Sequence, residues 1–445
     1  MEEFTAFVGL DVHKDSIVPA VAEGGRGGRV EVLGRIPMEA RALRRLVERL
    51  ARRYRHLEFC YEAGPCGYGV YRLLEGLGHR CLVAAPSKLS RAPGDRVKND
   101  KSDARLLAVS LRAGLVVPVW VPDQRHEAVR GLVRGRRAAV KARKSERQRL
   151  TSLLLVHGRC YAGKARWTRP HWAWLADQRF EDPALQLVKQ DAIEAIRYNE
   201  ERVKLLTTSM LATAKNWHLA PAVAALQALY GINAVAAVIL MAEIGDPRRF
   251  ASASAVVAYL GLRPSEESSG DRLRRGSITK AGNAEARRVL IEAAWCYRLP
   301  PQVSKAIEGR REGLPAALRA KVWKTHNRLY RRYWHLRKVG NKRSTVAVTA
   351  VARELAGVVW AVACWAMDPS RGLEAEEWLD AAGREIVPPG IADELAALDP
   401  APTPDEVAAE TVDPEPLDPE VFEPAGFETG TEAEAEIGAP TLTAD

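Results

Sequence analysis

Cysteine is scarce in this chain of 445 residues, and its six cysteines are scattered. No two of them form a Cys-x-x-Cys pair, and no zinc-finger spacing occurs. This pattern argues against a structural zinc site and against a secreted domain built on disulfide bonds. The cysteines are Cys60, Cys66, Cys81, Cys160, Cys296 and Cys364.

Membrane and secretion signals are also lacking. The first residues, Met1-Glu2-Glu3-Phe4, have neither the basic residues nor the apolar core of a signal peptide. The apolar stretch 347–367 contains Arg353 and Glu354, which favours a buried helix over a membrane span. We therefore expect a cytoplasmic protein with no membrane partner.

Acidic side chains are outnumbered by basic ones before the C-terminal segment. Residues 401–445 hold thirteen Asp or Glu and no Lys or Arg, which leaves 66 basic against 43 acidic residues in the first 400. That net charge of +23 points to a polyanionic partner. After about residue 390 the chain is rich in proline and acid, which predicts a disordered tail. The tail either competes with nucleic acid for the basic surface or only aids solubility.

Two segments are strongly basic. Residues Arg125 to Arg149 hold ten Lys or Arg against two Glu, and Lys321 to Arg343 hold nine and no acid. We interpret both as contacts to nucleic-acid phosphates, the alternative being a solvated helix face. Aromatic residues in the second segment can stack on unpaired bases or belong to the core. The candidate contacts are Arg134, Arg136, Arg137, Lys141, Arg274, Arg275, Lys280, Lys324, Arg328, Arg331 and Arg332.

The order of patterns along the chain predicts four regions. Residues 1–120 are α/β, with strand patterns followed by helical ones, and a hairpin turn at 24–28 typical of the meander that opens a ribonuclease-H-like sheet. Residues 121–218 predict two long helices, partly coiled coil. Residues 219–370 are mostly helical, and 371–445 are linker and acidic tail. The predicted strands are 6–10, 16–22, 29–36, 57–61 and 79–84, and the first predicted helices are 39–54 and 69–77.

A glycine turn at Gly231 separates two helical patterns, which end at about 230 and begin at about 236. Such a helix-hairpin-helix-like segment can present backbone N–H groups to a phosphate. It can equally be an ordinary helical hairpin packed on the core. Both interpretations stay open.

Four carboxylates stand where a metal site can form. Asp11 follows the apolar run 4–10 and Glu62 follows 57–61, so each ends a predicted strand. Asp100 and Asp103, three residues apart, share one face of a helix. Each carboxylate alone is ordinarily a solvated surface group or a helix cap. Together they would repel one another unless divalent cations with oxygen ligands, Mg²⁺ (or Mn²⁺), neutralised them, and two such ions can clamp a phosphodiester displacement.

A second candidate centre lies in the loop between 261 and 283, where small hydroxyl groups stand among several cations. A serine beside arginines can attack an incoming phosphate, because cations stabilise both its alkoxide and the phosphorane. The alternative is ordinary turn chemistry, to which Ser-Ser-Gly is well suited.

Several blocks of sequence resemble the DEDD insertion-sequence transposases. The first three are Gly9-Leu10-Asp11-Val12-His13-Lys14, Glu62-Ala63-Gly64-Pro65 and Lys98-Asn99-Asp100-Lys101-Ser102-Asp103-Ala104. A later segment, beginning near Leu229, resembles the second domain of that family. Its blocks are Gly261-Leu262-Arg263-Pro264, Ser268-Ser269-Gly270, Thr279-Lys280-Ala281-Gly282-Asn283 and Arg287-Arg288. The resemblance covers roughly residues 4 to 367.

The resemblance implies a RuvC-like domain followed by a separate transposase domain, and recombination guided by a bridge RNA that pairs with donor and target DNA. It also implies a composite active site. In that site Asp11, Glu62, Asp100 and Asp103 bind Mg²⁺ and a serine attacks the phosphate. The serine before the loop glycine is Ser269, with its neighbour Ser268 left open. A homo-oligomer is implied, a dimer or tetramer whose active sites combine two subunits.

Two alternatives to a transposase remain at this level. One is a RuvC-like metal-dependent nuclease, in which water attacks and Ser269 only lines a loop. The other is a non-catalytic RNA- or DNA-binding protein that keeps a vestigial acidic site. A nuclease differs from a recombinase in its nucleophile, which is water instead of Ser269. A non-catalytic binding protein differs in that Asp11 is not needed for activity.

Overall fold

The computed structural model describes residues 5–25, 27–89, 99–267 and 274–371. The chain divides into two compact units between Asp123 and Gln124. The first is mixed α/β, and the second is mostly helical. The serines of the predicted nucleophile loop and the predicted acidic tail from 372 onward lie outside the described residues.

The described residues of the first unit form a mixed sheet and three α-helices. Its elements are β1 (Thr5–Val12), β2 (Ser16–Glu23), β3 (Val30–Val32), β4 (Ile36–Pro37), α1 (Ala40–Ala51), β5 (His56–Glu62), α2 (Gly69–Gly76), β6 (Arg80–Ala84) and α3 (Asp100–Arg112). The strand order is β3-β2-β1-β5-β6, and β4 pairs with β2. β1 runs antiparallel to β2 and parallel to β5. The predicted strands are confirmed, except that 29–36 forms two short strands instead of one.

Strand β1 presents a different surface to each side of the sheet, because side chains alternate along a strand. Ala6, Val8 and Leu10 are fully buried in the core that also contains residues of α1. The opposite face carries Gly9, on which α3 packs closely. A Cβ at Gly9 would stand 2.4 Å from both a carbonyl oxygen and an amide nitrogen of the α3 backbone. The missing side chain therefore lets α3 lie directly on β1.

The second unit begins with two long helices. Its elements are α4 (Gln124–Val156), α5 (Arg169–Asp177), α6 (Pro183–Lys215), α7 (Ala220–Leu226), α8 (Ala234–Ile244), α9 (Ala253–Tyr259), β7 (Pro264–Glu266), β8 (Arg275–Ile278), α10 (Ala284–Ala294), α11 (Lys305–Arg311), α12 (Ala316–Lys338) and α13 (Ser344–Met367). α4 and α6 are the predicted pair, and they run antiparallel, since Arg125 bonds near Thr213 while Arg147 bonds Glu200.

Helix α13 forms the centre of the second unit. Among the described residues it is the one helix long and apolar enough to cross a membrane, yet 78% of its most apolar window is buried inside the protein. The indole of Trp360 donates to the carbonyl of Pro247 at 2.9 Å. The helix therefore has the contacts of a core helix, as its internal Arg353 and Glu354 indicated.

The glycine turn joins α7 to α8, and Gly231 has a φ of 80°. A Cβ on this glycine would stand 2.5 Å from the carbonyl oxygen of Ala293. From Ala237 to Ile244 every residue of α8 is buried. Asn233 caps the helix by accepting from the amide of Ala236 at 2.9 Å. These contacts favour a helical hairpin packed in the core over a phosphate-binding one.

Candidate metal centre

Asp11 and Glu62 lie side by side at one end of the sheet. β1 and β5 are parallel, and Leu10 is paired with Tyr61, so the next residue on each strand is one of these carboxylates. Adjacent strands are about 4.8 Å apart. Cys60, two residues before Glu62, points at α3, since its thiol donates to the carbonyl of Leu107. Both acids therefore stand on the face that α3 covers.

The other two carboxylates come from the first turn of α3. Asn99 begins the helix by accepting from the amide of Ser102 at 2.8 Å, and the Ser102 hydroxyl accepts from the Asn99 amide at 3.2 Å. This reciprocal capping box fixes the helix start. It puts Asp100 and Asp103 at the first and fourth helical positions. The close packing at Gly9 then brings this end of α3 to the end of β1.

The centre contains a histidine as well as carboxylates. The Nε2 atom of His13 lies 3.1 Å from Oδ2 of Asp11 and 3.7 Å from Oδ1 of Asp100. Ligand atoms of these three residues all lie within 4.8 Å of one another. Opposite ligands of one Mg²⁺ are about 4.2 Å apart, and those of a larger cation about 5 Å. The donor set of Asp11, His13 and Asp100 therefore fits one divalent cation.

Electrostatics at Asp11 indicate a place for positive charge. Burial raises the pKa of Asp11 above its usual value, and His13 offsets only part of that effect. The charges of Asp100 and Asp103 raise the pKa further. The Asp11 side chain is 15% exposed. A cation bound there would relieve both the burial of the carboxylate and its repulsion from the two aspartates.

Arg35 supplies a positive charge to the centre. Its guanidinium lies 2.5 Å from Oδ2 of Asp100, and both side chains are partly exposed. Sequence reasoning did not assign His13 or Arg35 to the site. A signal for His13 existed, because it follows the last residue of β1 and lies only two positions after Asp11 in the sequence. Arg35 had no such signal, since its loop approaches α3 only in the folded chain.

The nucleophile loop is described only at its two ends. β7 and β8 form an antiparallel hairpin in which Pro264 pairs with Ile278. The amide of Glu267 donates to the carbonyl of Arg274 at 3.0 Å. Ser268 and Ser269 fall between these residues and outside the described part of the chain. Their role stays a prediction.

Two of the predicted nucleic-acid contacts on α4, Arg134 and Arg137, bind carboxylates of the same unit. Arg134 lies 3.4 Å from Glu243, which Arg130 also contacts at 3.2 Å. Glu243 is buried, and its pKa is lowered: burial raises it, but the hydrogen bond from Asn283 and the two arginines outweigh that effect. Arg137, in turn, contacts the buried Glu285, Arg136 donates to Thr207, and Lys141 is exposed.

The basic residues of α12 divide in the same way. Arg332 is buried and contacts Glu354 at 3.1 Å, and Arg328 contacts the same carboxylate at 3.3 Å. Lys324 and Arg331 are exposed and line a groove of about 340 Å³ beside Trp323. Of the remaining candidates, Arg274 and Lys280 are exposed, and the side chain of Arg275 lies outside the described part.

Comparison with known proteins gives a consistent result. Residues 8–157 match a family model described as a transposase of the DEDD type, and residues 223–307 match one described as transposase of the IS116/IS110/IS902 family. A putative transposase of Sinorhizobium fredii is 45% identical over 80% of this chain and 88% of its own length. The transposase for insertion sequence element IS1533 of Leptospira borgpetersenii is 29% identical over 74% of this chain and 96% of its own length.

Proposed function

Because this chain belongs to the IS110/IS116 family of insertion-sequence transposases, enzymes of DNA cleavage and strand transfer, we propose that Asp11, Glu62, Asp100 and Asp103 bind the divalent metal of that reaction. The observation that carries the proposal is the convergence of the end of β1 and the start of α3. Asp11 and Asp100 reach the same imidazole there, within 3.7 Å. The proposed ion is Mg²⁺ or Mn²⁺, which carboxylate oxygens suit.

The N-terminal unit is proposed to be a RuvC-like domain of the ribonuclease-H type. Support comes from its three-stranded antiparallel meander followed by two parallel strands, in the order β3-β2-β1-β5-β6. In such a sheet the first strand carries the first catalytic carboxylate. Asp11 stands at that position on the central strand. The proposed regions are those of the sequence: 1–120 catalytic, 121–218 helical, and 219–370 the transposase domain.

The proposed chemistry is transfer of a DNA phosphoryl group to Ser269 and back. The Ser269 oxygen forms a bond to phosphorus while the bond to a deoxyribose oxygen breaks, and the hydroxyl proton goes to the leaving oxygen. A second strand then reverses the step and releases the serine. Divalent ions at the acidic site would neutralise the charge on the phosphate. The phosphoserine link conserves the phosphodiester energy, so strand exchange needs no ATP.

Two substitutions test this function on a donor and a target plasmid. Ser269→Ala is expected to abolish the covalent protein–DNA adduct and recombination, and Asp11→Asn to abolish cleavage itself. Asp15→Asn is the matched control, because Asp15 is exposed and lies four residues after Asp11 in the sequence. Full cleavage by Ser269→Ala, with no adduct formed by the native protein, would establish a nuclease that uses water. Unchanged recombination by Asp11→Asn would show that the acidic site is not catalytic.

Partners are proposed from the same family membership. Donor and target DNA are the substrates, a non-coding bridge RNA is the guide, and a dimer or tetramer is the active assembly. The exposed Lys141, Lys324 and Arg331 are the strongest candidates for phosphate contacts. Sequencing of nucleic acid that copurifies with the protein, together with its mass in solution, tests guide and assembly. A monomer free of RNA that still recombines DNA would contradict both.

A further inference from the structure

A pocket lies near the C-terminal end of α4 and the N-terminal end of α6. Its volume is about 420 Å³, and its walls come from α5, the loop after it and the first half of α6. Trp172 and Phe180 supply aromatic surface, and Arg179, Lys189 and Arg197 supply positive charge. No Asp or Glu is among the described residues that line it. None of the predicted metal-binding or nucleic-acid-binding residues is part of this pocket.

Lys189 is the most unusual of the lining residues. It is 3% exposed, although a buried lysine is expected to pair with an acid. Its ammonium group donates to the carbonyl of Gln178. Burial lowers the pKa of Lys189, and the charges of Arg159 and Arg179 lower it further. In the described ranges no carboxylate forms an ion pair with Lys189, Arg179 or Arg197.

The acids closest in sequence are occupied elsewhere or are exposed. Asp182 caps α6 by accepting from the amides of Ala184 and Leu185, at 2.7 and 3.2 Å. Glu194 accepts from the side-chain amide of Gln190 at 2.9 Å. The cations around Lys189 therefore have unneutralised charge, and an anion from outside would relieve it.

The aromatic walls already hold cations against their ring faces. The guanidinium of Arg159 lies 4.1 Å from the ring centre of Phe180, and that of Arg197 lies 5.7 Å from the ring of Trp172. A planar group with a negative charge beside it suits such a site, since the plane can stack on a guanidinium that covers a ring, or on the opposite ring face, while the charge contacts the cations.

We infer that this pocket binds one unpaired nucleotide of single-stranded nucleic acid, with its phosphate at Arg179, Lys189 and Arg197 and its base against Trp172 or Phe180. A volume of about 420 Å³ is within the range of small-ligand pockets and accommodates one nucleotide. The cations exclude a metal ion as ligand, and an apolar ligand would leave their charge uncompensated. The inference stands apart from the proposed catalytic chemistry, because no residue of the acidic centre takes part.

Binding of short labelled oligonucleotides by the full-length protein tests the charge. The double variant Arg179→Gln, Arg197→Gln changes two exposed side chains of the pocket. The control double variant Lys204→Gln, Lys215→Gln removes two exposed charges from α6 outside the pocket. Single-stranded uridine and thymidine decamers distinguish RNA from DNA as the source of the nucleotide. We expect the pocket variant to reduce the salt dependence, the slope of log K against log salt, by about 1.4 for two lost phosphate contacts. An equal decrease of this slope in both double variants would overturn the inference.

Photocrosslinking tests the base. A 4-thiouridine or 4-thiothymidine oligonucleotide is expected to crosslink to a peptide that contains Trp172 or Phe180, and the pocket variant should lower that yield about tenfold while the control leaves it unchanged. An abasic strand with the same phosphates should compete about tenfold more weakly for this crosslink. Crosslinks confined to other peptides, or equal competition by the abasic strand, would show that no nucleotide occupies the pocket. Matching circular dichroism spectra keep the comparison valid for folded protein.

Discussion

Replacing Gly9 by alanine should disable the acidic centre without touching any of its ligands. Gly9 is the point at which α3 lies on β1, two residues before Asp11. An added Cβ would stand 2.4 Å from Ala104 O and from Ala108 N. Both are backbone atoms of the helix, so no change of side-chain rotamer relieves the contact. The helix itself must move.

The size of the movement follows from the contact distance. Ordinary carbon–oxygen contacts begin near 3.4 Å, so α3 must retreat by about 1 Å from its observed position. Overpacking of this kind costs about 1–3 kcal/mol of stability. The start of α3 carries Asp100 and Asp103, which move with the helix away from Asp11. Misplacement of catalytic groups by about 1 Å can lower a rate about 100-fold.

The measurement combines urea denaturation with plasmid cleavage. Gly76→Ala is the matched control, because Gly76 lies in a helix of the same unit and an added Cβ meets nothing within 4 Å. Gly9→Ala should lose both stability and about two orders of magnitude in cleavage rate, and the control neither. If Gly9→Ala is as stable and as active as Gly76→Ala, helix packing at Gly9 does not position the carboxylates.

Three further predictions use the charges of the fold. Asp11→Asn should raise the unfolding temperature in the absence of metal, since the raised pKa of Asp11 means that its ionised form is disfavoured in the folded state. Added Mn²⁺ should raise the unfolding temperature of the native protein and leave that of the variant unchanged. His326 is 1% exposed, and burial, with a nearby arginine, lowers its pKa to about 4. The free energy of unfolding should therefore fall by roughly 3 kcal/mol as the pH decreases from 6.5 to 4. His326→Phe should flatten that part of the pH profile of urea denaturation. Glu354→Gln should cost about 3 kcal/mol in urea denaturation, because it removes the negative charge that compensates the buried Arg332. The exposed Glu201→Gln should cost almost nothing.

Local patterns were sufficient to predict most strands and helices of the first unit. The apolar runs before Asp11 and Glu62 are strands, and the two carboxylates do stand at the same sheet edge, because parallel strands in register bring their ends together. The three-residue spacing of Asp100 and Asp103 places both in the first turn of α3. What the pattern did not show is the function of Gly9, because a close approach of two backbones depends on residues almost a hundred positions apart.

The basic segments show where composition is insufficient. Arg125 to Arg149 is strongly basic, and a charge count treats every cation in it as available to a phosphate. In the fold, Arg130 and Arg134 share Glu243, more than a hundred residues away in sequence, so part of that positive charge is neutralised within the second unit. Their partner is visible only once α4 and α8 are packed together.

Cations that are paired inside the second unit and cations that are exposed should differ in how readily they bind nucleic acid. Withdrawing Arg134 from Glu243 to bind a phosphate would leave a carboxylate that is 3% exposed with less compensation, which costs free energy that the phosphate contact must exceed. Exposed cations such as Lys141 and Arg331 carry no such cost. Phosphate contacts should therefore concentrate on the exposed cations. The salt dependence of binding should then report fewer contacts than the net charge of the chain suggests. A slope as large as the full basic count would mean that the internal ion pairs open when nucleic acid binds.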